Sequence, residues 1–112
     1  MLKRLGIILL AMFLMFGCTQ QEIQIGIRGS IQQITLTSDG AIVLIEGRVE
    51  ADTLYDKASV KINNDTIIKN NLDRTLKVSD LRTGDTVEVS FTGAVAESYP
   101  VQGLAHTIKV KD

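Results

Sequence analysis

Through most of the chain after residue 22, apolar residues recur at every second position, and no stretch keeps the spacing of a long helix. Such alternation gives a strand one face for a core and one for water. Ile23, Ile25 and Ile27 alternate with Gln24, Gly26 and Arg28. The apolar phase is odd as far as Ile31 and even from Ile34 to Leu36. A slip of one residue turns every side chain to the opposite face. A strand that changes phase while serving one core therefore needs a bulge, here near Gln32–Gln33. Ser38, Asp39 and Gly40 carry a hairpin turn signal, and Ala41–Glu50 reads as the partner strand. Ile42, Val43, Leu44 and Ile45 run together, which predicts burial on both faces near that strand's start.

Ala51–Lys57 breaks the pattern and reads as a loop. Ala58, Val60 and Ile62 then alternate with Ser59, Lys61 and Asn63. Asn63, Asn64 and Asp65 tolerate left-handed backbone and form a turn, and Thr66–Ile68 returns as a short strand. Lys69–Arg74 is loop-like, and Ser79 is placed to cap one short helical turn stopped at Gly84. Val87, Val89 and Phe91 mark a half-buried strand. Gly93–Gly103, which holds the sole proline, Pro100, reads as a long irregular stretch. Leu104, His106, Ile108 and Val110 form the last strand. The expected fold class is all-β: a small five-stranded Greek-key barrel of the OB type, whose first strand curls to serve both sides. The alternative is an open β-sandwich.

Composition decides what the core is made of. Tryptophan is absent, and beyond residue 22 the aromatics are Tyr55, Phe91 and Tyr99. The core must be Ile/Val/Leu-rich, which favours strands, and a sugar-binding face of stacked rings is not expected. The single cysteine, Cys18, excludes an intramolecular disulfide, so the hydrophobic core alone must hold the domain.

The first 18 residues carry an address. Met1, Leu2, Lys3 and Arg4 are a basic head, Leu5–Phe16 is an apolar run relieved only by Gly6, and Gly17 precedes Cys18. Basic head, apolar run of about 7–15 residues and a small residue at the cut site make a secretory signal. The run is shorter than the about 20 apolar residues of a membrane span. Leu14, Met15, Phe16 and Gly17 before Cys18 resemble the lipobox of bacterial lipoproteins, although Met15 stands where such motifs usually carry leucine. The resemblance implies a diacylglycerol thioether on Cys18, with cleavage before it. An ordinary signal peptide cut nearby and an uncleaved anchor are the alternatives. The expected organisation is a signal peptide at 1–17, a lipidated tether at 18–22 and an OB-like β domain at 23–112. With Lys3 and Arg4 removed, the remaining basic residues are outnumbered by 13 acidic ones, so the domain is mildly acidic. That balance argues against nucleic acid as a partner and supplies no polybasic patch for membrane binding.

Two segments carry a further likeness: Tyr55-Asp56-Lys57-Ala58-Ser59-Val60, and Phe91 through Gln102 with its Ala94-Val95-Ala96-Glu97-Ser98-Tyr99-Pro100 centre. They resemble a domain-of-unknown-function family of small Bacillus-type lipoproteins, the YobA-like proteins. Ala94 stands where that family is expected to carry proline. The resemblance implies a low-GC Gram-positive owner and anchoring on the outer face of the cytoplasmic membrane. It implies no activity.

Catalytic chemistry is thinly provided, and no catalytic residue is assigned. His106 is the only histidine and falls in phase with Leu104, Ile108 and Val110, which points it inward or to the barrel rim. A hydrogen-bonded core histidine is the commoner outcome, although histidine is also the side chain suited to proton transfer near neutral pH. Cys18 is the lipid site, and Ser98 lacks the glycine elbow of a hydrolase nucleophile. No metal site is expected, because neither calcium-loop nor zinc-ligand spacing is present, and no cofactor is expected. The binding candidates are Tyr55, Glu97, Ser98, Tyr99 and His106. Glu97, Ser98 and Tyr99 sit in a loop, where a rigid barrel presents recognition residues. The competing reading has Tyr99–Pro100 close the core. Arg28, Arg48, Lys61 and Lys69 are candidates to line one face. The function expected is a non-enzymatic binding or accessory module, held to the membrane through Cys18 and recognising a protein, peptide or envelope component through the OB-type face or the Glu97–Gln102 loop. The alternative is a small envelope hydrolase or metal-dependent enzyme.

Overall fold

The structure, a computed structural model, describes residues 23–111. The expected signal peptide at 1–17 and the expected lipidated tether at 18–22 lie outside the described residues. Six strands follow one another: β1 Ile27–Thr37, β2 Gly40–Glu46, β3 Lys57–Ile62, β4 Ile67–Lys69, β5 Thr86–Ala96 and β6 Val101–Val110. A short 3-10 turn at Val78–Asp80 separates β4 from β5. Strand β1 pairs with β2 on one side and β5 on the other, β2 pairs with β3, and β5 with β6, all antiparallel. A parallel pairing of β3 with β6 closes the circuit. The result is a closed mixed barrel of five strands, with β4 added in parallel beside β6. This is the small barrel expected from the pattern, and the parallel closure excludes an open sandwich.

The barrel closes because β1 bends. Its register against β2 shifts between Ile31 and Gln33, which leaves Gln32 as the extra residue. Before the bulge, Ile27–Ser30 face Val89–Thr86 of β5; beyond it, β1 continues against β2 alone. Ile27 and Ile31 therefore point into the core from the first half, and Ile34 packs against it from the second. Val43, Ile45, Val60, Ile62, Val87, Val89 and Ile108 complete an interior of aliphatic side chains. Each contributes about 1.5–3 kcal/mol by leaving water. Leu81, in the segment after the 3-10 turn, is buried with them, and Leu76 and Val78 pack alongside.

Three expectations are corrected. The stretch Gly93–Gly103 is no long loop: β5 runs on to Ala96 and β6 begins at Val101, so the irregular part is the short turn between them. A register break between Thr92 and Ala96 and the positive φ of Gly93 absorb the residues that made the stretch look irregular. Ser79 does not cap the turn. Lys77 holds the cap position, with its backbone N–H donating to Asp80 Oδ2 at 2.8 Å. The partner strand of the first hairpin ends at Glu46, and Gly47–Glu50 lies outside it. The Asn63–Asp65 turn forms as expected: the Asp65 N–H donates to Asn63 Oδ1 at 2.9 Å. None of its residues takes positive φ.

Candidate binding face

Register across four strands assembles one outward face. On β2, Ala41, Val43 and Ile45 point inward, so Ile42, Leu44 and Glu46 point outward. Ile42 faces Thr35 of β1 and Lys61 of β3; Leu44 faces Gln33 and Ser59. The parallel pairing then sets Lys61 beside Leu104 and Ser59 beside Gln102 on β6. Two rungs result, Gln33–Leu44–Ser59–Gln102 and Thr35–Ile42–Lys61–Leu104. Lys61 is the single charge among them. Shallow clefts run between the rungs, and Pro100 borders one of them. The run Ile42–Ile45 predicted burial on both faces. Instead the outer member Ile42 is 40% exposed and Leu44 half-buried, because among the described residues no second layer covers this side.

The turn between β5 and β6 forms the rim of this face. Ser98 Oγ donates to the Pro100 carbonyl at 2.8 Å, and the Ser98 N–H donates to the Ala96 carbonyl. Tyr99 is 71% exposed, so it does not plug the core. Its hydroxyl donates to Asp56 Oδ2 at 3.3 Å, which brings the 97–100 turn against the loop before β3. Desolvation at that junction and the Asp56 carboxylate raise the phenol above its ordinary pKa. Tyr55, next in the chain to Asp56, turns the other way. Its ring meets Phe91 edge to face, with centroids 6.0 Å apart, and packs against the core. The structure thus groups Glu97, Ser98 and Tyr99 at the rim and leaves Tyr55 beneath it.

His106 is a correction. The register of β5 against β6 passes from Ser90–Thr107 to Phe91–Ala105, so His106 is the extra residue of a bulge and is exposed. Ala105 and Ile108 point inward on either side of it. At about 3.3 Å per residue, His106 lies roughly 16 Å along β6 from Val101 and takes no part in the Tyr99 rim.

The four basic residues do not line one face. The Arg28 guanidinium is enclosed by carboxylates: Glu88 Oε2 at 2.6 Å, Asp52 Oδ2 at 2.8 Å and Glu50 Oε2 at 3.0 Å. Lys111 Nζ reaches Glu88 Oε1 at 3.1 Å. The hydrogen bond from Arg28 lowers the pKa of Asp52. At Glu88, burial alone would raise the pKa; hydrogen bonds from Arg28 and Lys111 outweigh it and lower the value. The carboxylates in turn raise the pKa of Arg28. Together these groups bind the loop before β3 to β1 and β5. The Leu54 and Tyr55 N–H groups, both donating to the Gly26 carbonyl at 2.9 Å, add to that hold. Among the described residues, no group of three or more His, Cys, Asp or Glu side chains is arranged to hold a metal ion.

Gln33, Thr35, Ile42, Leu44, Ser59 and Leu104 are absent from the sequence-derived binding candidates, and Gln102 was expected only as the end of the Glu97–Gln102 loop. The signal was the pair of apolar residues at outer positions of β2, Ile42 and Leu44, and only the strand order turns that signal into a face. A family model described as DUF3221, a protein of unknown function, matches residues 28–112. No curated protein matches the chain.

Proposed function

The chain belongs to the DUF3221 family, which is defined without a function, and from that premise we propose a non-enzymatic binding module tethered outside the cell. The anchor in this reading is a lipid on Cys18, in keeping with the lipobox-like residues before it and with the likeness to YobA-like lipoproteins. The barrel recognises a protein, peptide or envelope component through the outer face of β1, β2, β3 and β6. The observation that carries the reading is the pair of rungs, in which Ile42, Leu44 and Leu104 stand among amide and hydroxyl groups with Lys61 as the single charge. Such a surface suits a partner that is itself weakly charged and aliphatic. Contact area and side-chain amides supply the affinity, and Tyr99 offers a ring with a polar tip at the rim.

The test uses protein solubilised from the envelope with its anchor in place. Ile42→Asp puts a charge in the centre of the face without touching the interior. The expected result is loss of the components that co-isolate with the parent chain, with membrane retention unchanged. Equal recovery with both chains contradicts the face. Cys18→Ser tests the anchor separately: release to the medium, or accumulation of an unprocessed form, is expected, and normal membrane retention contradicts it.

A further inference from the structure

The outer edge of β1 beyond its bulge has no neighbour. Residues Ser30–Thr37 pair with β2, but pairing with β5 stops at Ser30. Ile31 is still served, since its N–H donates to the Asp85 carbonyl and its carbonyl accepts from the Gly84 N–H. Past Ile31 no strand or turn follows on that side among the described residues.

The hairpin tells which backbone groups face outward. Thr37 and Gly40 flank the two-residue turn as a hydrogen-bonded pair, and bonding alternates along an antiparallel ladder. Thr37, Thr35 and Gln33 therefore direct their N–H and C=O groups toward β2. Ile34 and Leu36 direct theirs away from it, to the open edge. Sheet edges are normally guarded by charge, proline or a bulge. Ile31-Gln32-Gln33-Ile34-Thr35-Leu36-Thr37 has no charge and no proline, and beyond Gln32 it is regular. The other edges are guarded. β4 carries Lys69, and its far side is bridged by Thr75 and by the Leu76 N–H donating to the Ile68 carbonyl. The free side of β5 is broken at Gly93, with φ +68°. Leu36, at the open edge, is 75% exposed.

We propose that this edge pairs with the same edge of a second copy, antiparallel, about a two-fold axis at Thr35. That register joins open groups to open groups at both Ile34 and Leu36 and gives Leu36 an apolar neighbour, whereas an axis at Leu36 would set Ile34 against Ser38 of the turn. Ile34 and Leu36 of one copy exchange N–H···O=C bonds with Leu36 and Ile34 of the other, and the side chains of each such pair lie on one face. Thr35 meets Thr35 at the axis as a non-hydrogen-bonded pair, with Cα atoms about 4.5 Å apart. The edge carries no charge, so two copies meet without repulsion. The Gly84–Asp85 turn at Ile31 bounds the pairing on each side.

The experiment uses the full processed chain in membranes. At the axis, Thr35→Cys brings two thiols within disulfide reach, since bridged cysteines have Cα atoms about 4.4–6.8 Å apart. Mild oxidation is expected to give a species of twice the chain mass, which Lys109→Cys on β6 does not give. Adding Leu36→Pro removes an edge N–H while deleting an exposed side chain, and the crosslinked species should disappear with circular dichroism unchanged. No crosslink from Thr35→Cys beyond that from Lys109→Cys overturns the proposal. So does a crosslink to a chain of another mass, which would make the edge a site for a foreign strand. If the parent chain itself forms a disulfide dimer, Cys18 is a free thiol and the lipid reading fails instead. Sedimentation of the parent and of Leu36→Lys under reducing conditions then decides the edge: dimer and monomer support it, monomer in both overturns it.

Discussion

Replacing Arg28 with alanine should cost the barrel about 2–3 kcal/mol at neutral pH, most of it through Glu88. Glu50 and Asp52 are 52% and 56% exposed, and solvent screening leaves exposed pairs of that kind with little to contribute. Glu88 differs, with a side chain only 14% exposed. It accepts from Arg28 Nε at 2.8 Å and from Arg28 Nη2 at 2.6 Å. Removing one partner of a buried pair costs about 3–5 kcal/mol; partial exposure and the surviving Lys111 contact reduce that figure. The pH dependence has a definite sign. Asp52 and Glu88 have lowered pKa values in the fold. Their contribution is therefore complete above the ordinary carboxylate range and is lost as pH falls through the folded values. Parent and variant should converge as pH falls below the ordinary carboxylate range and through the lowered folded values. Urea unfolding followed by far-UV circular dichroism reads this in a chain without tryptophan. A loss under about 0.5 kcal/mol at pH 7, or a gap that stays constant through the acid series, would refute the reasoning.

The other predictions concern the core and the face. Ile45→Ala, at a fully buried position, should lower stability by about 2–5 kcal/mol in the same assay. Gly103→Ala sets a methyl 2.6 Å from Phe91 Cδ1; a loss of about 1–3 kcal/mol is expected, and Phe91→Leu in the same chain should recover part of it. Asp56→Ala removes only the exposed bond from the Tyr99 hydroxyl, so unfolding should shift by less than about 0.5 kcal/mol. Ile42→Asp should be similarly silent in unfolding while abolishing co-isolation of envelope components.

The two bulges show what alternation can and cannot reveal. At Ile31 and Ile34 the core side chains themselves change phase, so the bulge at Gln32 was legible. In β6 the sequence Leu104, His106, Ile108, Val110 looks like one unbroken phase. It is not, because Leu104 lies on the outer face, where an aliphatic residue mimics a core position. The small Ala105 and the bulge at His106 do the switching, and neither has a hydrophobic signature. The hairpin of β5 and β6 was hidden for a related reason. Gly93 and Pro100 punctuate it, and its residues 92–94 are exposed, so it carries no burial pattern. Of the binding candidates, the rim at Glu97–Tyr99 was legible as a loop. The two rungs were not, since their membership depends on a parallel pairing between strands about 40 residues apart.

The most direct test of the account is photo-crosslinking on intact cells from single positions of the chain. Probes at Leu44, Ser59 and Gln102 sample the proposed face, and a probe at Lys109 samples the barrel elsewhere. The account predicts a shared crosslinked partner from the three face positions, absent from Lys109 and lost when Ile42→Asp is added. Equal crosslinking from all four positions, or none from the face, would contradict it.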